Sequence, residues 1–80
     1  MEIRYSDGAL ADLEKLPKRI ADQIMRKISR LEHGLRGDIK RLHGDDAGYR
    51  LRSGDYRILF DVEGGNILVQ KIGNRKDIYD

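Results

Sequence analysis

No cysteine occurs in this chain of 80 residues. Neither a disulfide nor a thiolate metal site can therefore reinforce its fold, and the composition fits a reducing cytoplasm. No apolar run approaches the length of a membrane span, and the N-terminus has no apolar core of a secretion signal, so no membrane association is expected. Net charge is also scarce. Lys and Arg number 16 against 14 Asp and Glu, which leaves a formal +2 although 38% of residues are charged. A general basic field is excluded, so any anion binding must come from where the arginines sit. Several catalytic signatures are missing as well. There is no phosphate-binding P-loop, no serine nucleophile elbow and no Cys/His pair. His33 and His43 lie in no dependable ligand spacing, so neither a metal nor a cofactor is expected. Asp45 and Asp46 are neighbours in a Gly/Asp-rich stretch and read as solvated loop carboxylates.

The length gives one domain, residues 1–80, with a core so small that a partner is expected to add stability. Ile3 and Tyr5 alternate with Glu2 and Arg4 as in a short strand. Ser6-Asp7 can cap a helix whose stripe is Ala9, Leu10, Leu13 and Leu16. Pro17 ends that helix and suits the first position of the next. Ile20, Ile24, Ile28, Leu31 and Leu35, at steps of four, four, three and four, form one apolar face of a long amphipathic helix. Interspersed acids and the lack of bulky aromatics argue against a membrane-surface role for it. Arg36 to Ala47 reads as a loop, with Leu42 tucked into the core. Three strands are expected at about 48–53, 55–62 and 66–73, with Gly54-Asp55 and Gly64-Gly65 as turns. Ile67, Leu68, Val69 and Ile72 make the last strand mostly apolar, as in a strand covered on both faces. The order β-α-α-β-β-β gives an α+β fold, a helical hairpin packed on one face of a mainly antiparallel sheet. Leu13, Ile20, Ile24, Ile28, Leu31, Leu51, Ile58 and Phe60 are the expected core.

The chain is organised around Tyr49-Arg50-Leu51-Arg52-Ser53-Gly54-Asp55-Tyr56-Arg57. Strand side chains alternate, so Arg50 and Arg52 point away from Tyr49 and Leu51. After the turn, Arg57 lies opposite Tyr56, Ile58, Phe60 and Val62. Three permanent charges thus share one sheet surface, without the mixed Lys/Glu/Thr of a neutral exterior. Arg75, Lys76 and Tyr79 follow in the polar tail. The arginines offer planar forks suited to phosphate oxygens, and Tyr79 a ring on which a base can stack. A tail folded back over the sheet would complete a cationic bowl suited to single-stranded RNA, whose own 2′-OH is a nucleophile.

Tyr49 to Phe60, followed by Ile72-Gly73-Asn74-Arg75-Lys76-Asp77-Ile78-Tyr79, resembles the RelE/ParE superfamily of bacterial and archaeal toxins. The resemblance covers essentially the whole chain, and the RelE-like branch is favoured. It implies a type II toxin–antitoxin module. The toxin would cleave mRNA on the ribosome without metal, by 2′-OH attack, and a cognate antitoxin would hold it silent in a hetero-oligomer. By position, Arg57 and Arg75 match arginines that act on the phosphate. Tyr79 matches the terminal tyrosine, which orients or stacks on the substrate. Arg50 stands where relatives often carry lysine, and Arg52 matches a further basic position. Lys76 and Asn74 join Arg52 as expected RNA-binding residues. Many relatives carry histidine in place of Asn74, and Arg50 cannot release its proton at working pH. The general acid and base are thus unassigned. Two alternatives remain open: a ParE-like inhibitor of DNA gyrase, and a catalytically weak module that binds RNA or antitoxin.

Overall fold

The computed structural model describes residues 1–44 and 47–78. Its elements are β1 (Ile3–Tyr5), α1 (Asp7–Glu14), α2 (Lys18–Ser29), a 3₁₀ turn (Arg30–His33), β2 (Ile39–Arg41), β3 (Tyr49–Ser53), β4 (Tyr56–Glu63) and β5 (Asn66–Asn74). Among the described residues these five strands form one sheet in the order β1-β5-β4-β3-β2. β1 runs parallel to β5, and the other neighbours are antiparallel. Among the described residues no helix is long and apolar enough to cross a membrane.

Local chemistry explains the helical half. The Ser6 side chain accepts from the Ala9 N–H at 3.0 Å and donates to Gln70 O at 3.0 Å, so one hydroxyl caps α1 and ties it to β5. Asp12 Oδ2 accepts from the Ile72 N–H at 2.9 Å, where β5 runs on beyond the short β1 and has lost its partner strand. Pro17 stands just outside α2 as its N-cap, one position earlier than expected, and its carbonyl receives the N–H groups of Ile20 and Ala21. α2 stops at Ser29, whose hydroxyl donates to Arg26 O at 2.7 Å in competition with the helix ladder.

Ile24, Ile28 and Leu31 are buried against Leu51, Ile58, Phe60, Ile67, Val69 and Ile72. All the expected core residues lie in this cluster except Ile20, which is half-buried against it. Two members of the expected stripes fall outside it. Leu10 is exposed, because the short α1 buries only Ala9 and Leu13, one turn apart. Leu35 is exposed because the 3.6-residue period ends with α2 and the tighter 3₁₀ turn does not continue it. Leu42 is half-buried and not part of the core cluster.

Two features of the sheet depart from the expectation. The stretch read as a loop contains β2, with Ile39 opposite Leu51 and Lys40 opposite Arg50. At three residues, and flanked by glycines, β2 carries too little alternation to register in the sequence. The second departure is in β5. Leu59 lies opposite Lys71 but Phe60 lies opposite Val69, so Gln70 is an extra, bulged residue. The bulge changes which side chains face the helices. Ile67, Val69 and Ile72 all reach the core although their spacing is two and then three. The apolar run therefore reflects a bulged strand with β1 and β4 at its sides, not helices on both faces. Leu68, on the open face, is half-buried.

Candidate nucleic-acid interface

Both helices pack on the face of the sheet that carries Leu51, Ile58 and Phe60, so alternate residues project from the other face. The register arranges them in rows. In one row Lys40 lies opposite Arg50, Arg50 opposite Leu59, and Leu59 opposite Lys71. In the next, Arg52 lies opposite Arg57 and Arg57 opposite Gly73. Directly opposed residues place their Cβ atoms about 5 Å apart, and like charges there destabilise a sheet. Two such cationic pairs, Lys40–Arg50 and Arg52–Arg57, stand side by side. Asp38 beside Arg52 and the two backbone carbonyls that hold Arg57 offset part of this repulsion, and an anion laid across the face would offset more.

The fold holds some of these groups in place. Arg52 Nη1 lies 3.5 Å from Asp38 Oδ2, an exposed pair of small energetic weight. Arg57 Nη1 donates to Gly54 O at 2.9 Å and Tyr56 O at 3.0 Å, which fixes the fork against the β3–β4 turn. Gly54, with φ 59°, takes the left-handed conformation that a two-residue hairpin needs at its first position. Arg50 is half-buried in the middle of the face.

The tail turns back at the same end of the sheet. The Arg75 N–H donates to Asp55 O at 2.8 Å, which joins the tail to the hairpin turn. Asn74 Oδ1 accepts from the Lys76 N–H at 3.0 Å, and Asn74 O accepts from the N–H groups of Asp77 and Ile78. Ile78 is buried outside the main core cluster. It packs on Gly73, where a Cβ would come within 3.2 Å of Ile78 Cδ1, and Lys71 Nζ donates to Ile78 O at 3.3 Å. Arg75 and Lys76 are left exposed. A groove of about 630 Å³ opens between α1 and this turn, with Lys15, Lys71, Asn74 and Lys76 among its walls. Tyr79 lies outside the described residues, as do Asp45 and Asp46.

A family model described as "ParE toxin of type II toxin-antitoxin system, parDE" matches residues 3–79. The chain belongs to this family. The toxin also resembles Toxin RelE3 of Methanocaldococcus jannaschii, with 32% identity over 85 residues, covering 100% of this chain and 97% of the relative. Among solved structures it is similar to the RelB-RelE antitoxin-toxin complex from Methanococcus jannaschii. That match has a TM-score of 0.80 and 31% identity, and covers 96% of this chain and 95% of that one. The RelBE2 toxin-antitoxin complex from Mycobacterium tuberculosis gives a TM-score of 0.75 and 28% identity, covering 92% and 96%. The RelE/ParE resemblance and the RelE-like α+β fold are thus borne out.

Of the residues singled out in the sequence of the toxin, Arg50, Arg52 and Arg57 share the open face, and Asn74, Arg75 and Lys76 lie in the adjoining turn. Sequence reasoning missed Lys40 and Lys71. Lys40 sits in the strand read as loop. Lys71 has the parity of Ile67 and Val69 and would face the helices without the bulge at Gln70. Asp61 was also missed. Its carboxylate accepts from the Gln70 side chain and from the Gly48 N–H, so it braces the bulge and the entry to β3 together.

Proposed function

We propose that this type II toxin is a metal-independent, ribosome-dependent endoribonuclease that cleaves mRNA. The observation that carries the reading is the pair of like-charged cross-strand neighbours, Lys40–Arg50 and Arg52–Arg57, on the uncovered face. In the proposed reaction the 2′-OH gives up its proton to water and its oxygen attacks the adjacent phosphorus. The P–O5′ bond breaks, a 2′,3′-cyclic phosphate forms, and the departing 5′ oxygen takes a proton. Arg57 and Arg75 stabilise the charge that builds on the phosphoryl oxygens, and Arg50 neutralises the same phosphate from the middle of the face. Arg52, Lys76 and Asn74 hold the flanking backbone, and Tyr79 orients the substrate or protonates the leaving oxygen. A cognate antitoxin, as in the RelB-RelE complexes to which the fold is similar, would cover this face in a cytoplasmic hetero-oligomer. Its contacts there would be acidic, so its affinity would fall as salt rises.

One observation favours the readings without a ribonuclease site, the catalytically weak binding module first and the gyrase-directed toxin with it. Asn74 Oδ1 is engaged by its own turn, at the position where many relatives carry a histidine that can exchange protons. Cleavage of ribosome-bound message in a purified translation system separates the ribonuclease reading from both. Arg57→Ala should lower the cleavage rate by roughly two to three orders of magnitude with an unchanged thermal melt. Arg57→Lys should restore part of it, because the fork geometry is lost. Gyrase-dependent DNA breaks from a protein that leaves message intact would replace this reading with the gyrase-directed one.

A further inference from the structure

Beyond the sheet face, a second cationic surface runs along α2. Arg19, Gln23, Arg26, Arg30 and His33 follow one another at steps of four, three, four and three along α2 and the 3₁₀ turn, Lys27 stands beside Arg26, and Asp22 is the one acid near that flank. Three clefts follow it. The first, about 260 Å³, lies between Arg19 and the β3–β4 turn at Ser53, Gly54 and Asp55. The second, about 320 Å³, holds Arg26, Lys27 and Arg30 against Ser53 and Gly54. The third, about 430 Å³, is bounded by Lys27, Arg30, His33, Arg36 and Asp38 over Leu51. Neighbouring clefts share walls: Gln23, Ser53 and Gly54 between the first two, Lys27 and Arg30 between the last two. They form one groove. Five permanent cations line it against two carboxylates, and one of those, Asp38, is already beside Arg52.

The fold itself accounts for only part of this charge. Arg26, Lys27 and Arg30 stand near the C-terminal end of α2, where the helix dipole favours cations. Arg19 stands in its first turn, where the dipole disfavours them, and no acid occurs there. Among the described residues Arg19, Arg26, Arg30 and Arg36 have no side-chain hydrogen bond or ion pair. Lys27 Nζ donates to Arg52 O at 3.1 Å, which ties the groove to the strand bearing the open-face arginines. Gly54, a wall of the first two clefts, is also the carbonyl that orients Arg57. The groove therefore begins where the open face ends.

We propose that this groove binds the phosphodiester backbone of the RNA strand that crosses the open face, as it leaves past the β3–β4 turn. The identity of the strand rests on the ribonuclease reading; the groove extends it to a second surface. The 12-residue helix and the four-residue 3₁₀ turn span roughly 26 Å at about 1.5 and 2.0 Å per residue. Several consecutive phosphates fit along that length, at about 3.4 Å of rise per stacked nucleotide. A protein partner is the poorer fit. Its anchors need a central apolar pocket, whereas the apolar lining lies at the two ends, Ile20 and Tyr56 at one and Leu51 at the other.

The test uses 2′-O-methyl RNA oligonucleotides, which bind but lack the attacking hydroxyl, of about four and about ten nucleotides. Fluorescence anisotropy across a salt series compares the native toxin with Arg26→Gln/Arg30→Gln. The native toxin should bind the longer probe more tightly and with a steeper salt dependence. Losing two phosphate contacts should lower the slope of log affinity against log salt by about 1.4, or about tenfold in affinity near 0.15 M salt. The shorter probe and the purified antitoxin should bind the variant as they bind the native toxin. Equal binding of the longer probe by variant and native toxin at every salt concentration overturns the proposal. So does a loss confined to antitoxin affinity, which would make the groove a protein site. A native toxin that binds neither probe removes the groove and the RNA reading together. Failure of the native toxin to cleave ribosome-bound message, with the length and salt effects intact, removes only the ribonuclease reading. If the double variant does not fold, Arg19→Gln/Arg36→Gln carries the same expectations from the two ends of the groove.

Discussion

Ile78 is the side chain that holds the tail, and Ile78→Ala tests whether the tail is a separately stabilised unit. The residue is 4% exposed, yet it lies outside the core cluster beneath the helices. It packs on Gly73, and its carbonyl receives Lys71 Nζ. Truncation to alanine removes three carbons, worth about 2.4 kcal/mol at roughly 0.8 kcal/mol per buried methylene. Because every 1.4 kcal/mol is a factor of ten, local opening of the tail should become up to about 50 times more frequent. Amide hydrogen exchange reads this opening directly. The reporters are the N–H groups of Arg75, bonded to Asp55 O, and of Asp77 and Ile78, bonded to Asn74 O. The control is the Ile67 N–H, which donates to Glu2 O at 2.8 Å between β5 and β1. Exchange should accelerate at the three tail amides and stay unchanged at Ile67. Unchanged exchange at the tail would mean that other contacts hold it. Equal acceleration at Ile67 would mean that Ile78 supports the whole fold. Either result refutes the reasoning that Arg75 and Lys76 are positioned by a local anchor.

Other outcomes follow from the same structure. Ile24→Ala, at a site 1% exposed, should cost about 2–5 kcal/mol, and a chemical-denaturation curve that does not move would show that the site collapses around the gap. Burial pushes the Tyr5 phenol above the usual tyrosine range. The folded state therefore keeps that proton longer than the unfolded chain. The associated stability is whole below the unfolded value of about 10 and is lost as pH rises through the folded one. Tyr5→Phe should flatten this alkaline decline in thermal melts, and an unchanged decline would assign it to other groups. Asn74→His should raise cleavage near neutral pH and add a titration near about 6.5 to the rate profile. The same change removes the Lys76 N–H acceptor, so a slower, unperturbed profile would show that position 74 serves the turn alone.

How much was legible in the sequence differs between the two halves of the molecule. The helical hairpin was largely legible because its signals are local. Ser6 caps within three residues, Pro17 interrupts at one position, and Ile24, Ile28 and Leu31 repeat within a few turns. The β3–β4 hairpin was legible for the same reason, since a tight turn fixes the register and the register places Arg50, Arg52 and Arg57 on one face. The end of the long stripe was misplaced, because a hydroxyl back-bond and a 3₁₀ turn interrupt the period without removing its apolar residues.

What only the tertiary structure decided depends on partners far apart in the chain. β2 exists because β3 offers it an edge, not because Ile39, Lys40 and Arg41 prefer to be extended. The bulge at Gln70 depends on β4 and on Asp61, nine residues away, and it alone sends Lys71 to the cationic face and Ile72 to the core. The groove along α2 needs the β3–β4 turn as its second wall, so the basic flank of that helix reads in sequence as an ordinary solvated surface. Local hydrogen bonding and periodicity made the helices, the hairpin and its arginines a property of the sequence. Cross-strand pairing across long separations decided which further charges join them.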